Sequence, residues 1–149
     1  MRAVVTRVKQ ASVTIEGDVV GKIGQGFLIL LGITHDDTPE LCKKLAQKVL
    51  GLRVFTDENE KMNKSLEDVG GSVLVVSQFT LYGDCSHGRR PSFIGAARPE
   101  QAIPLYEQFL AECEAMGFPP RHGQFGAKMQ VSSVNDGPVT MIVDTKDLK

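Results

Sequence analysis

Val73-Leu74-Val75-Val76-Ser77-Gln78-Phe79-Thr80-Leu81 is the stretch on which the fold turns. Its first four residues are apolar and mostly β-branched, the composition of a strand covered on both faces. Its second half turns polar where a buried strand ends. Polar groups are costly in such a place unless they bind or catalyse something. Continued as one strand, the stretch puts Gln78 and Thr80 on one face and Ser77, Phe79 and Leu81 on the other.

Strands dominate the chain on the N-terminal side of this stretch. Residues 3–8 and 12–15 are rich in β-branched residues, and Gly17-Asp18 is a two-residue hairpin signal before Val19-Val20. Phe27-Leu28-Ile29-Leu30-Leu31 is a second continuously apolar strand. Asp37-Thr38-Pro39-Glu40 opens a helix, with Leu41, Leu45, Val49 and Leu52 as its apolar stripe. Residues 56–71 are polar and glycine-containing, and read as a loop.

Beyond the stretch, residues 83–98 have no periodicity and contain the basic cluster His87-Gly88-Arg89-Arg90. Pro99-Glu100 starts a second helix carrying Leu105, Phe109, Cys113 and Met116, and Gly117 and Pro119 stop it. Residues 128–134 and 139–143 read as a closing hairpin around Asn135-Asp136-Gly137-Pro138. No repeat or linker divides the chain. One α+β domain over residues 1–149, strand-rich with two main helices, is the expected architecture.

Composition narrows the function classes. With 149 residues, 42% hydrophobic and 23% charged, the chain has the make-up of a soluble domain large enough for one substantial core. No run approaches the roughly 18 apolar residues of a membrane helix, and the first residues lack the apolar segment of a secretion signal, so a cytoplasmic protein without membrane contact is expected. Cys42, Cys85 and Cys113 share no metal-binding spacing, so neither a disulfide framework nor a metal site is expected. Cys42 and Cys113 fall on apolar helix faces as small buried hydrophobes. A formal net charge of −1 argues against coating nucleic acid by bulk charge, yet allows a local grip on a few phosphates.

Several side chains can carry chemistry. Gln78 offers an amide donor and acceptor and Thr80 a hydroxyl, suited to holding a carbonyl or a water near a reacting ester, or else to a solvated strand end. As a nucleophile Thr80 needs a base, and His35, His87 and His122 belong to no recognisable triad motif. Arg89 and Arg90 match phosphate oxygens, or simply decorate a basic loop. Phe79 and Met129 line an apolar pocket or join the core. In Gly137-Pro138 the proline lacks a ladder donor, which suits an edge or a turn exit and leaves carbonyls free for a ligand. About 5–6% of X-Pro bonds are cis, so sequence alone does not license a cis peptide there.

The motifs taken in order resemble one family, D-aminoacyl-tRNA deacylase. The resemblance starts at Met1-Arg2-Ala3-Val4 and Ala11-Ser12-Val13 and continues through Gly70-Gly71-Ser72, Ser77-Gln78-Phe79-Thr80-Leu81 and Gly88-Arg89-Arg90-Pro91-Ser92-Phe93. It ends with Phe125-Gly126-Ala127 and Asn135-Asp136-Gly137-Pro138-Val139-Thr140. It implies a barrel-like mixed sheet and a homodimer that needs no cofactor. The implied reaction is hydrolysis of the ester between a D-amino acid, or mischarged glycine, and the 3′ end of tRNA. It further implies a cis Gly137-Pro138 element inserted across the interface, whose carbonyls exclude L side chains, with Arg7 bracing it. Gln78 and Thr80 then serve catalysis, Gln78 with the backbone near Phe79 and Thr80 holding the ester while the 2′-hydroxyl of the terminal adenosine helps activate water. Ser77, Phe79 and Met129 line the pocket, and Arg89 and Arg90 meet acceptor-stem phosphates.

Overall fold

A computed structural model describes all 149 residues. The chain begins with one long strand, β1 (Arg2–Ile15), where two shorter ones were expected. It runs through without a break because both of its edges are paired over most of its length. The turn that follows is made by Glu16 and Gly17, both at positive φ, and Asp18 already pairs with Ile15. The hairpin thus turns one residue earlier than Gly17-Asp18. The next strands are β2 (Asp18–Ile23) and β3 (Gly26–Gly32).

Helix α1 (Pro39–Leu50) starts as its sequence dictates: the Thr38 hydroxyl accepts from the Leu41 N–H, and Pro39 occupies the first turn. Cys42, Leu45, Ala46, Val49 and Leu50 are its buried face, and Leu52 lies beyond its end. The region expected to be a loop contains β4 (Phe55–Thr56), β5 (Met62–Lys64) and the one-turn helix α2 (Leu66–Val69). A reciprocal Ser65–Asp68 capping box starts α2 and Gly70 in the left-handed region ends it. Then come β6 (Ser72–Ser77), α3 (Pro99–Ala115), β7 (Arg121–His122) and β8 (Gln130–Asp144). On α3 the buried face is Ala102, Leu105, Tyr106, Phe109 and Cys113, while Met116 caps the C-terminus and is exposed.

The expected closing hairpin is absent. Residues 130–144 form a single strand antiparallel to β1 from one end to the other. Two register shifts interrupt the pairing, so that residues 136–139 stand opposite Arg7 alone. Asn135-Asp136-Gly137-Pro138 is therefore a wide bulge within a strand and not a reversal of direction. β8 occupies one edge of β1, leaving the other to β3 over residues 2–8 and to β2 over residues 11–15. β3 pairs parallel with β6, and β6 with β7. The sheet curls until its end strands meet: a Cβ on Gly21 of β2 would lie 3.0 Å from the His122 carbonyl oxygen of β7. The barrel-like α+β expectation holds, and α2 adds a third, minor helix to the two main ones.

Both faces of the central strands are buried, as their unbroken apolar runs require. Phe27, Ile29, Leu31, Val73 and Val75 join Ala3, Val5 and the helices in one cluster, where Phe27 stacks on Phe55 at 5.2 Å. Leu28, Leu74 and Val76 join Val8, Ala11, Val13 and Ile23 in a second cluster inside the curl. Cys42 and Cys113 are buried as expected, and burial pushes both thiols up to about 12. At the start of β3 the backbone of Ser72 lies where a Gly26 side chain would go. Gly26→Ala is expected to cost about 3 kcal/mol by forcing β3 and β6 apart. Gly24→Ala, which meets nothing within 4 Å, should stay within about 0.5 kcal/mol. Urea unfolding of the two variants measures the difference.

Candidate active site

Strand β6 stops at Ser77, and the stretch that opened the sequence reading does not continue extended. The Gln78 N–H still reaches the Leu31 carbonyl at 2.8 Å, the last bond of the parallel ladder. From there Phe79–Tyr82 wind into a 3-10 turn, closed by Leu81 N–H to Gln78 O at 3.2 Å and Gly83 N–H to Thr80 O at 3.0 Å. The shared face expected of Gln78 and Thr80 is therefore not that of a strand. The turn brings them together by another route: the Gln78 amide Nε2 donates to the Thr80 hydroxyl. No side chain caps the start of the turn, so its first N–H groups, those of Phe79 and Thr80, stay available at the surface.

Arg2 fixes this turn from behind. Its Nη1 donates to Leu81 O at 2.8 Å, its Nε pairs with Asp144 Oδ2 at 2.9 Å, and its guanidinium lies 4.8 Å from the Tyr82 ring centre. Burial would raise the Asp144 carboxyl, but the Lys146 N–H and Arg2 outweigh it and hold the group below the usual carboxylate range. Burial, with Asp144 and Asp37 nearby, drives the Tyr82 phenol well above its ordinary value. Gly32 lies beneath the turn, where a Cβ would come within 3.0 Å of Leu81 Cβ.

Ser77, Gln78 and Phe79 form one wall of a cavity of about 230 Å³. Leu31, Val76 and Ala102 lie along it, and Phe125, Gly126, Ala127, Met129 and Val131 close the far side. Phe125 rests on Tyr106 with ring centres 5.9 Å apart, and the Tyr106 hydroxyl donates to Val75 O at 3.3 Å. Sequence reasoning assigned no role to Phe125, Gly126, Ala127 or Ala102. Their one signal in the sequence was the Phe125-Gly126-Ala127 motif of the family resemblance, and the structure puts Gly126 at φ +78°.

Thr80 does not line the cavity and is exposed at its rim. No histidine hydrogen-bonds to it: His35 contacts the Ile94 carbonyl, His122 contacts Gly123 O, and His87 lies on the outer loop. Arg89 and Arg90 sit on the same loop beside Gly88, exposed and without an acidic partner.

Gly137 and Pro138 also lie apart from the cavity of their own chain. The peptide bond between them is cis, and both residues face solvent at the bulge. The bulge is tied on two sides. Asn135 Oδ1 accepts the Val139 N–H at 2.9 Å, and Asn135 Nδ2 donates to the Thr140 hydroxyl at 3.0 Å. From beneath, Arg7 donates through Nε to Asp136 O at 2.9 Å and through Nη1 to Val54 O at 2.6 Å, with Asp136 Oδ2 at 3.6 Å. A side chain on Gly137 would collide with Val139 and come to 3.0 Å from Arg7 Nη2. Arg7 is thus buried and engaged through Nε and Nη1, holding the bulge by its bond to the Asp136 carbonyl. Arg7→Ala should cost about 2 kcal/mol through lost charge-assisted hydrogen bonds, read as a lower urea midpoint at unchanged slope.

The chain is similar to known proteins over nearly its whole length. Over 147 residues, 99% of the chain and 97% of the relative, it is 58% identical to the D-aminoacyl-tRNA deacylase of Thermus aquaticus. It is 59% identical over 144 residues to the D-aminoacyl-tRNA deacylase of Exiguobacterium sibiricum, covering 97% of this chain and 99% of that one. The solved c-Myc DNA unwinding element binding protein superposes with a TM-score of 0.91 at 43% identity, over 97% of this chain and 98% of its own. Residues 4–144 match the family described as D-Tyr-tRNA(Tyr) deacylase, and the chain belongs to that family.

Proposed function

We propose that this chain is an aminoacyl-tRNA deacylase which frees D-amino acids, and mischarged glycine, from the 3′ end of tRNA, and which rejects L-amino acids with main-chain atoms. The observation that carries the catalytic half is the uncapped start of the Phe79–Tyr82 turn at the mouth of an apolar cavity. Water attacks the ester carbonyl carbon, and the Phe79 and Thr80 N–H groups receive the oxygen as it becomes negative. The carbon–oxygen bond to the ribose then breaks, and the 3′-hydroxyl leaves with a proton. Preorganised donors of this kind contribute about 3–4 kcal/mol each to the transition state. Gln78 holds the Thr80 hydroxyl in place, the 2′-hydroxyl of the terminal adenosine helps to activate the water, and Ser77, Phe79 and Met129 surround the bound end.

Chiral rejection rests on the Gly137-Pro138 bulge. It is rigidly held by Arg7 and Asn135, presented outward, and remote from its own cavity, which suits insertion into the cavity of a second copy. Support for that copy comes from an apolar row beside the bulge: Ile142, 71% exposed, pairs with Val4, which pairs with Leu30. Carbonyls facing the substrate α-carbon leave no room for an L side chain, while a D side chain points away and glycine has none to reject. Main-chain selection reads configuration and ignores side-chain identity. Arg89 and Arg90 supply the local phosphate grip that the net charge does not, and a tRNA substrate implies cytoplasmic action.

Incubation with D-Tyr-tRNA, L-Tyr-tRNA and a 2′-deoxy-terminated D-Tyr-tRNA, chelator present, tests the reading. Release of tyrosine from the first alone is expected, and equal release from D and L esters would refute chiral rejection. Thr80→Ala should lower turnover less than about 10-fold, since the backbone donors remain. A loss beyond about 1,000-fold with tRNA binding intact would make the hydroxyl the nucleophile.

A further inference from the structure

The segment between the catalytic turn and α3 carries more apolar surface than its packing explains. Phe79 is 56% exposed, Phe93 38% and Ile94 84%. These are not loose side chains. The Phe93 ring meets Phe79 edge to face, with centres 5.2 Å apart and planes at 74°. It also seats over Gly83, where any Cβ would come to 3.0 Å of Phe93 Cε1.

The backbone beneath is pinned at both ends. Asp84 and Ser92 exchange N–H to carbonyl bonds of 2.7 and 2.9 Å. The Thr34 hydroxyl donates to Gly95 O and the His35 ring contacts Ile94 O, each at 2.6 Å, and the Ala97 N–H reaches Ile33 O at 2.9 Å. The result is a stiff arm with two unpaired arginines at its tip and an aromatic ring at its base, leading directly into the cavity through Phe79.

We infer that Phe93, with Ile94 beside it, is a stacking platform for the unpaired cytidines that precede the terminal adenosine of tRNA. This rests on the deacylase reading of the cavity. Three features favour single-stranded RNA over other occupants. The two aromatic rings are partly exposed and held against each other, as a stacking platform requires. Arg89 and Arg90 lie along the same arm with no acidic partner, where the strand's phosphates would run. The platform is continuous with the cavity through the Phe79–Phe93 contact, so it lies on a direct path for a strand whose last nucleotide enters the cavity.

The test compares kcat/KM for a D-tyrosyl ester of adenosine with that for the same ester on a CCA trinucleotide. Their ratio isolates the two cytidines from everything that happens at the reacting end. In the unaltered protein the trinucleotide should be preferred about 10-fold or more. Phe93→Leu keeps an apolar side chain without a π-face and should reduce that preference about 10-fold. Phe93→Tyr should retain it. Ile94→Ser, at a site too exposed to affect folding, should reduce it by a smaller factor. An unchanged ratio in Phe93→Leu, or no preference in the unaltered protein, would overturn the platform while leaving the deacylase reading intact. Equal losses on both esters with dissociation of the oligomer in sedimentation would assign the patch to a second copy and also overturn it. Hydrolysis of neither ester by the unaltered protein would overturn the deacylase reading itself.

Discussion

Everything in this molecule is arranged around the need of β1 to satisfy its backbone on two edges at once. A 14-residue strand whose alternate side chains are buried and whose only exposed residues are Lys9 and Gln10 leaves few N–H or carbonyl groups to water, and unpaired buried groups would each cost on the order of 1–3 kcal/mol. β8 supplies one edge from end to end. The other edge is longer than β3 can cover, so β2 takes over beyond Val8. That handover bends the sheet, encloses the second apolar cluster, and draws β2 toward β7 at Gly21.

The same demand creates the most unusual local structure. β8 must follow β1, yet it contains a proline with no N–H to give to the ladder. The strand solves this by looping four residues out opposite Arg7. Arg7 then replaces the missing ladder partners with side-chain donors, bonding Asp136 O on the bulge and Val54 O behind it. A charged side chain tolerates such burial only when it is paired and hydrogen-bonded, and here the contacts to Asp136 also set the orientation of Gly137-Pro138. Arg7 beneath the bulge and Asn135 within it together stabilise and present the element.

The cavity is placed by a comparable economy. Parallel pairing of β3 and β6 ends together at Leu31 and Gln78. The chain leaves the sheet there in a 3-10 turn whose first donors have no internal acceptor. The helix-side cluster supplies the apolar wall, Arg2 and Asp144 brace the turn from the opposite side, and the loop containing Phe125 covers what remains.

Local sequence determined the two doubly buried runs, the start of α1 at Thr38-Pro39, the start of α3 at Pro99, and the polar residues Ser77 and Gln78 at a strand end. Each of these follows from contacts within a few residues: a cap, a missing N–H, an unbroken apolar face. The capping box at Ser65 and Asp68 starts a helical turn inside a stretch that composition read as a loop. Tertiary structure alone decided the rest. An Asp-Gly pair reads as a hairpin wherever its flanks are free to pair with each other. At Asn135-Asp136-Gly137-Pro138 both flanks are already bound to β1, so the chain bulges instead of reversing. Gln78 and Thr80 meet because the strand ends between Ser77 and Phe79, a point set by where β3 stops offering partners. Phe125 reaches the cavity through packing on Tyr106. Long-range pairing outweighs local preference because each ladder bond is formed or lost along with its neighbours, while a turn signal acts on four residues alone.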